Sequence, residues 1–293
     1  MKKLLAMAVT AAFTVSMLAG CGQSAETTDA SAQETTQETE TEAADEETAG
    51  TADAASEDTA ERTTFTVGFD AEFPPYGYMD ESGEYTGFDL ELAQEVCDRN
   101  GWELVKQPID WDSKDMELSS GAIDCIWNGF TMNGREDAYT FSVPYVDNSQ
   151  VFVVAADSGI IVFDDLAGKN VGVQKDSSAL AALEGDAADL AATFGNLTQY
   201  SDYNTAFMDL EQGAIDALAI DVGVADYQIA SRGEGFVKLS ENLASEQYGI
   251  GFKLGNVELK DQVEKTLLEM ADDGTFGKIA EKYGLSDSVC LGK

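Results

Sequence analysis

Alternating apolar and polar side chains mark two short stretches soon after residue 63. Residues 64–69 and 103–107 both show this alternation, which predicts a β-strand for each. Between them, residues 90–100 place apolar side chains on one helical face, and Gly101 follows as a stop signal. The order strand, helix, strand predicts the beginning of an α/β domain.

The tetrapeptide Gly-Ala-Ile-Asp occurs twice, at residues 121–124 and 213–216. Each copy follows a helical stretch and precedes an apolar run, residues 123–130 in the first case and 215–220 in the second. A helix stopped by glycine and followed by an apolar strand is typical of a parallel sheet. The repeat therefore predicts two similar lobes; the alternative is chance identity of four common residues.

Charged residues follow both apolar runs. Arg135 comes after the first and Asp221 directly after the second. Ligands of open α/β sheets bind beyond the carboxyl ends of the strands. These two side chains could therefore hold the carboxylate and the ammonium of one amino acid between the lobes.

Two late amphipathic helices, at residues 258–271 and 276–283, suit packing back onto the first lobe. The chain would then cross between the lobes twice, near residues 146–150 and 244–248, and form a hinge. The predicted fold is α/β, with two lobes that each contain a mostly parallel sheet flanked by helices. Lobe 1 is predicted at residues 64–146 plus 248–289, and lobe 2 at residues 150–243.

The first 21 residues read as an export signal, with Lys2 and Lys3 before an apolar core and Leu-Ala-Gly-Cys at the end. That ending resembles a bacterial lipobox, which implies cleavage before Cys21 and a lipid on its thiol. The alternative, a transmembrane helix, needs about 20 apolar residues, more than this segment has. Residues 22–63 form a predicted disordered acidic tether. A binding tail for a basic partner is the alternative function of its acidic run.

Charge limits the range of partners. The formal net charge is −38, from 17 basic and 55 acidic residues, and only 13 of those acids lie before residue 62. Nucleic acid is excluded as a partner because its phosphates would be repelled. The lipid on Cys21 is therefore the expected membrane contact.

Metal and imidazole chemistry are excluded on composition. The chain has no histidine and no Cys-x-x-Cys pair, so neither a zinc site nor any other cofactor is expected. Cys97 and Cys125 occupy apolar positions and are interpreted as small core residues. Whether they pair stays open, because the cysteines after Cys21 are odd in number.

Several segments resemble the bacterial extracellular solute-binding proteins of the polar amino acid class, the binding components of ABC importers. The most specific is Gly-Phe-Asp-Leu-Glu-Leu-Ala at residues 87–93. Other matching segments lie, in order, at residues 70–76, 121–124, 128–131, 141–145, 171–174, 177–178, 248–252 and 273–276, with Asp221 between the matches at 177–178 and 248–252. The resemblance covers nearly all of residues 64–285.

The resemblance implies a type II periplasmic-binding fold that closes on one amino acid. Arg135 would bind the α-carboxylate, helped by the backbone N–H groups of Thr131 and Ser178. Asp221 would accept the α-ammonium. The alternatives are a solvated surface arginine and a strand-end cap.

For the ligand's side chain, the resemblance implies a sandwich between Phe73 and Trp111, with Asp70 at its polar end and Gln174 lining the pocket. Phe73 could instead be core filler. The remaining implied ligand contacts are Asn128, Gly129 and Ser177. The loop before Arg135 is one residue shorter than is usual in the family, a departure that Gly134 could absorb and that leaves Asn133 as another contact.

The expected protein is a lipid-anchored, monomeric, extracytoplasmic receptor. It would capture a polar, basic L-amino acid by lobe closure and deliver it to an ABC permease; glutamine and cystine stay open as ligands. One alternative is a small-acid dehydratase on the same fold, for which Glu72 is the candidate proton donor. Another is the sensor lobe of a receptor kinase, which needs a transmembrane segment after residue 285.

Overall fold

The computed structural model describes residues 62–233 and 235–292. Over this range the chain forms two lobes, each built on its own sheet. The expected signal segment, the Cys21 lipidation site and the tether up to residue 61 lie outside the described residues. Within the described ranges, no helix is long and apolar enough to cross a membrane.

Fourteen strands and eight α-helices are present in the described residues. The strands are β1 Thr64–Phe69, β2 Glu72–Phe73, β3 Gly77–Met79, β4 Tyr85–Thr86, β5 Glu103–Pro108, β6 Cys125–Ile126, β7 Tyr139–Phe141, β8 Val146–Ala155, β9 Asn170–Gln174, β10 Asn196–Tyr200, β11 Ala217–Asp221, β12 Phe236–Lys238, β13 Ala244–Tyr248 and β14 Gly251–Lys253. The helices are α1 Phe88–Asn100, α2 Lys114–Ser120, α3 Ser178–Glu184, α4 Ala188–Ala191, α5 Tyr203–Glu211, α6 Val222–Arg232, α7 Val257–Asp272 and α8 Thr275–Lys282. Short 3₁₀ helices cover Trp111–Ser113 and Phe163–Leu166.

The two large sheets have the same internal order. The first sheet runs β5-β1-β6-β14-β7, and the second runs β10-β9-β11-β8-β12. Each sheet contains three parallel strands, and the one that comes first in the chain lies between the other two. Antiparallel strands complete the sheet. Each sheet is thus mixed, with the parallel half expected from the sequence on one side. A small hairpin sheet, β2-β3-β4, accompanies the first lobe.

Two strands connect the lobes. β8 leaves the first lobe and β13 returns to it, and they pair antiparallel from Val146 opposite Tyr248 to Gln150 opposite Ala244. After β13 the chain re-enters the first sheet as β14, and α7 and α8 pack on α1. The late helices therefore return to the first lobe, as their apolar faces indicated.

The repeated tetrapeptide has the same structural role in both lobes. The Asp124 carboxylate accepts the Thr66 N–H at 2.7 Å, and the Asp124 N–H donates to the Thr66 carbonyl at 2.8 Å. In the second lobe, Asp216 and Asn170 form the same pair of bonds, at 2.8 and 2.7 Å. Each aspartate thus aligns the first strand of its sheet, and the prediction of two similar lobes is confirmed.

The structure changes one local prediction and shows that two buried cysteines do not pair. The apolar run 123–130 is a strand only over Cys125–Ile126, because the chain leaves the sheet at Trp127 and turns at Gly129 with φ of 57°. Cys97 and Cys125 are both buried and both free.

Gly87 caps α1 in a conformation that only glycine adopts easily. Its φ is 138°, and a Cβ there would lie 2.2 Å from the Tyr76 carbonyl oxygen. We expect Gly87→Ala to lower the free energy of unfolding by roughly 2 kcal/mol more than Gly83→Ala does. Gly83 is the matched control, since its φ is also positive, at 85°, but a Cβ there has no neighbour within 4 Å. Urea unfolding measures both, and equal losses would contradict the steric argument.

Candidate functional site

A small cavity lies where the two lobes meet. Its volume is about 10 Å³, room for roughly one water molecule, so the lobes are closely apposed around it. It is lined from the first lobe by Phe73, Trp111, Gly129, Thr131 and Arg135, and from the second by Gln174, Ser177, Ser178 and Asp221. Nine of the eleven ligand contacts expected from the sequence therefore surround one space.

The strand ends explain this convergence. Gln174 and Asp221 are the last residues of the parallel strands β9 and β11. In the first lobe, Thr131 lies a few residues beyond β6 and forms an isolated bridge with Tyr248. Carboxyl ends of parallel strands from both lobes thus face one another across the cleft.

Asn128 and Asp70 lie outside the cavity wall. Asn128 is 1% exposed, and its Oδ1 accepts the Asp70 N–H at 2.5 Å. It supports the loop after β1, so the expectation of direct ligand contact by Asn128 is not matched by its position. The side chain of Asn133 likewise bonds to the protein itself, because its Oδ1 accepts the Gln247 N–H at 2.7 Å.

Arg135 is fixed by backbone carbonyls from both lobes. Its Nη1 donates to the Thr131 carbonyl at 3.0 Å, and its Nη2 donates to the Asp176 carbonyl at 3.4 Å. The guanidinium carbon lies 5.1 Å from the centre of the Phe130 ring. Gly134, with φ of 78°, makes the shortened turn that brings Arg135 to the cavity.

The serines at the start of α3 have different partners. The Ser177 hydroxyl accepts the Leu180 N–H at 3.1 Å and donates to the Gln174 carbonyl at 2.8 Å, so it serves as the helix N-cap. The Ser178 hydroxyl accepts from Gln150 at 2.8 Å and faces Thr131 across the cleft at 3.3 Å. Ser178 is thus the serine whose hydroxyl links the two lobes.

Asp221 is buried at the floor of the cavity. Its Oδ1 accepts from the Tyr248 hydroxyl at 2.5 Å and from the side-chain amides of Gln150 and Asn148 at 2.7 and 2.9 Å. Burial, followed by the negative charge of Glu246, raises the pKa of Asp221 to about 7. A cationic group placed against this carboxylate would therefore be strongly favoured.

Glu246 is a site residue that sequence reasoning missed. Its Oε1 accepts from Thr131 at 2.9 Å and from the same two amides, Asn148 at 2.7 Å and Gln150 at 2.8 Å. Two buried carboxylates thus share two amide donors. The sequence held no signal that singled out Glu246, because the crossing strands are continuously polar at residues 147–150 and 245–247.

The aromatic end of the site is formed by Phe73 and Trp111. The Phe73 ring lies 5.9 Å from the Tyr203 ring of the second lobe. Beside it, Oδ2 of Asp70 accepts from Gln174 Nε2 at 2.7 Å across the cleft. Burial raises the pKa of Asp70 to about 6.

A second cavity of about 410 Å³ adjoins the first and shares Trp111 with it. Its acidic lining residues are Asp70, Glu72, Asp110, Glu117 and Asp202. The described residues that line it include no lysine or arginine. The outer part of the cleft therefore has a negative potential that favours cationic groups.

Residues 65–286 match the bacterial extracellular solute-binding proteins, family 3. The chain belongs to this family. L-cystine-binding protein TcyJ of Escherichia coli is 30% identical over 226 residues, which cover 76% of this chain and 83% of that protein. The resemblance inferred from the motifs is confirmed.

Solved structures give the same assignment. A histidine-bound substrate-binding protein of an ABC uptake transporter from Streptococcus pneumoniae is 34% identical, with a TM-score of 0.74; the match covers 77% of this chain and 94% of that one. An ancestral arginine-binding protein bound to arginine is 35% identical, with a TM-score of 0.70 and coverage of 76% and 99%. These relatives confirm the type II periplasmic-binding fold, and the chain is a substrate-binding protein of the amino acid ABC transporter group.

Proposed function

We propose that this family 3 protein captures a polar, basic L-amino acid between its lobes and delivers it to an ABC permease. The observation that carries the proposal is that Arg135 and Asp221, from opposite lobes, line one cavity. An α-amino acid has a carboxylate and an ammonium on neighbouring atoms. A cation and an anion facing one space suit both ends of that zwitterion.

Each wall has its own role in this proposal. Arg135 binds the carboxylate together with the backbone N–H groups of Thr131 and Ser178, and Asp221 binds the ammonium. Gly129 leaves room for the ligand beside Phe73, because a Cβ there would lie 2.8 Å from that ring. Since the contacts come from both lobes, the ligand stabilises the closed arrangement over the open one.

The preference for a basic side chain rests on the outer cleft. A ligand side chain that extends between Phe73 and Trp111 would reach the acidic cavity next to Asp70. An ammonium or guanidinium gains there from the carboxylates and from the aromatic faces. Arginine binding by the ancestral relative agrees with this choice.

L-Cystine is the second candidate ligand. Its distal half is a second amino acid, which the adjoining cavity of about 410 Å³ could accommodate. The similarity to TcyJ supports this candidate. Glutamine is a third, weaker choice that suits the amide of Gln174.

The cellular setting follows from the sequence. The protein would be anchored on the outer face of the membrane by a lipid on Cys21, with residues 22–63 as the tether. Residues 64–146 plus 248–289 would form one rigid lobe and residues 150–243 the other, with β8 and β13 as the hinge. A monomer that closes on its ligand would be the form that the permease receives.

A thermal-shift screen of the full-length protein against the twenty amino acids and L-cystine tests the proposal. A ligand at 100 times its Kd adds about 2.7 kcal/mol of stability, which raises Tm by roughly 5–10 °C. We expect that rise with L-arginine or L-lysine. A rise with L-cystine alone would favour the second candidate, and no rise with any of them would contradict amino acid binding.

A further inference from the structure

The buried side chain of Lys114 reaches from the first lobe to the second. Lys114 is the first residue of α2, and its side chain is only 2% exposed. Its ammonium forms an ion pair with the carboxylate of Asp176 and lies 5.1 Å from the centre of the Trp111 ring. It also donates to the Trp111 carbonyl at 3.4 Å. Lys114 therefore contacts both a residue of the candidate site and the opposite lobe.

Asp176 lies in the turn between β9 and α3 of the second lobe. Its φ is 54°, a left-handed conformation uncommon for a residue other than glycine. Its carbonyl accepts from Arg135 and its carboxylate from Lys114, so the first lobe holds this turn at two points. The turn leads directly into Ser177 and Ser178, which line the cavity.

This ion pair differs in position from the others. Among ion pairs between described residues, the pair of Lys114 and Asp176 joins the two lobes, whereas each of the others lies within a single lobe. Its partners belong to different lobes, so they can meet only when the lobes are together. In an open form water would solvate the Lys114 ammonium, whereas closure removes that water and requires a counter-charge.

We propose that Lys114 and Asp176 form an interlobe latch that sets the lifetime of the closed form. The latch rests on the proposed function, because it acts through lobe closure around the ligand. Asp176 supplies the charge that makes burial of Lys114 tolerable, and the latch opens when that pair separates. Its main effect is on the rate of ligand release, since the pair must separate before the lobes can open, and in the ligand-free protein the same pair holds a fraction of the molecules closed.

Three variants of the full-length protein test the latch by stopped-flow tryptophan fluorescence with L-arginine. Asp176→Asn leaves a buried ammonium without a counter-charge, and we expect it to raise koff roughly tenfold with little change in kon. Lys114→Met keeps the buried volume without the charge and should raise koff less. The double variant should behave like Lys114→Met alone, because no unpaired ammonium is left.

Lys238→Met is the matched control. It removes the ion pair of Lys238 with Asp226, which is partly exposed and lies within the second lobe. Its koff should equal that of the wild type. The latch is overturned if Asp176→Asn and Lys114→Met change koff by less than twofold, or if the double variant shows the full sum of the two single effects.

A ligand-free measurement separates the latch from the proposed function. In small-angle X-ray scattering without ligand, Asp176→Asn should have a larger radius of gyration than the wild type, and Lys238→Met should not. If L-arginine fails to bind, the proposed ligand is wrong and scattering alone decides the latch. Identical scattering curves in that case would overturn it.

Discussion

Replacing Asp221 by asparagine is expected to weaken binding of L-arginine by roughly 100- to 1000-fold, or about 3–4 kcal/mol. The substitution keeps the shape of the side chain and removes its charge. The α-ammonium would then be buried against a neutral amide. Isothermal titration calorimetry of the full-length variant at pH 8 measures the change directly.

The size of this effect follows from where Asp221 lies. Asp221 is 4% exposed as a residue, so water cannot replace its charge when the ligand is bound. Its hydrogen-bond partners Tyr248, Gln150, Asn148 and Tyr203 are uncharged and add no second counter-ion. Glu246 is buried in the same polar cluster but does not line the cavity. Loss of Asp221 therefore removes the nearest negative charge to the ammonium.

Asp226→Asn is the matched control for this experiment. Asp226 lies in α6 of the same lobe, and its exposed carboxylate pairs with Lys238 on the surface. The same chemical change there should leave Kd within a factor of two. If Asp221→Asn also stays within threefold of the wild-type Kd, the assignment of Asp221 to the ammonium is wrong.

The repeated tetrapeptide predicted more of the fold than any single helix or strand pattern did. Asp124 and Asp216 align the first strand of each sheet through identical backbone bonds, so the repeat encodes topology directly. The charged residues at or beyond the strand ends also line the cavity, because parallel strands direct their carboxyl ends to the same edge of the sheet. Arg135 and Asp221 could be selected from the sequence for that reason.

The polar network beneath the cavity could not be predicted in the same way. Asn148, Gln150 and Glu246 lie within continuous polar runs, at residues 147–150 and 245–247, and such runs usually face solvent. They are buried because β8 and β13 pair with each other between the lobes. That pairing is long-range, and no local pattern specifies it.

Lys114 shows the same limitation in a helix. A lysine in the first turn of a short polar helix is expected in solvent. It is buried because the turn at Asp176 in the other lobe covers it and supplies the counter-charge. The prediction of a strand over residues 123–130 was wrong for a local reason, since the chain turns at Gly129 with a positive φ.

Affinity for L-arginine should fall steeply as pH decreases below about 7. Burial and the charge of Glu246 raise the pKa of Asp221 to about 7, so the carboxyl holds a proton below that pH in the ligand-free protein. Binding of the ammonium requires the ionised form and must release that proton. Kd should therefore rise by up to about tenfold per pH unit below 7 and be constant from pH 7.5 to 8.5. Calorimetry between pH 5.5 and 8.5, in buffers of different ionisation enthalpy, measures both Kd and the proton released.

Glu246→Gln separates this titration from that of Asp70, whose pKa is about 6 and which lies at the other end of the cleft. The substitution removes the charge that adds to the effect of burial on Asp221, so the pKa of Asp221 should decrease and the loss of affinity should begin at lower pH. Burial still acts on Asp221, so its pKa stays above the usual range for aspartate. Glu211→Gln, on the surface of the same lobe beside Arg232, should leave the pH profile unchanged. If the profile of Glu246→Gln matches that of the wild type, the expected contribution of the Glu246 charge to the pKa of Asp221 is wrong.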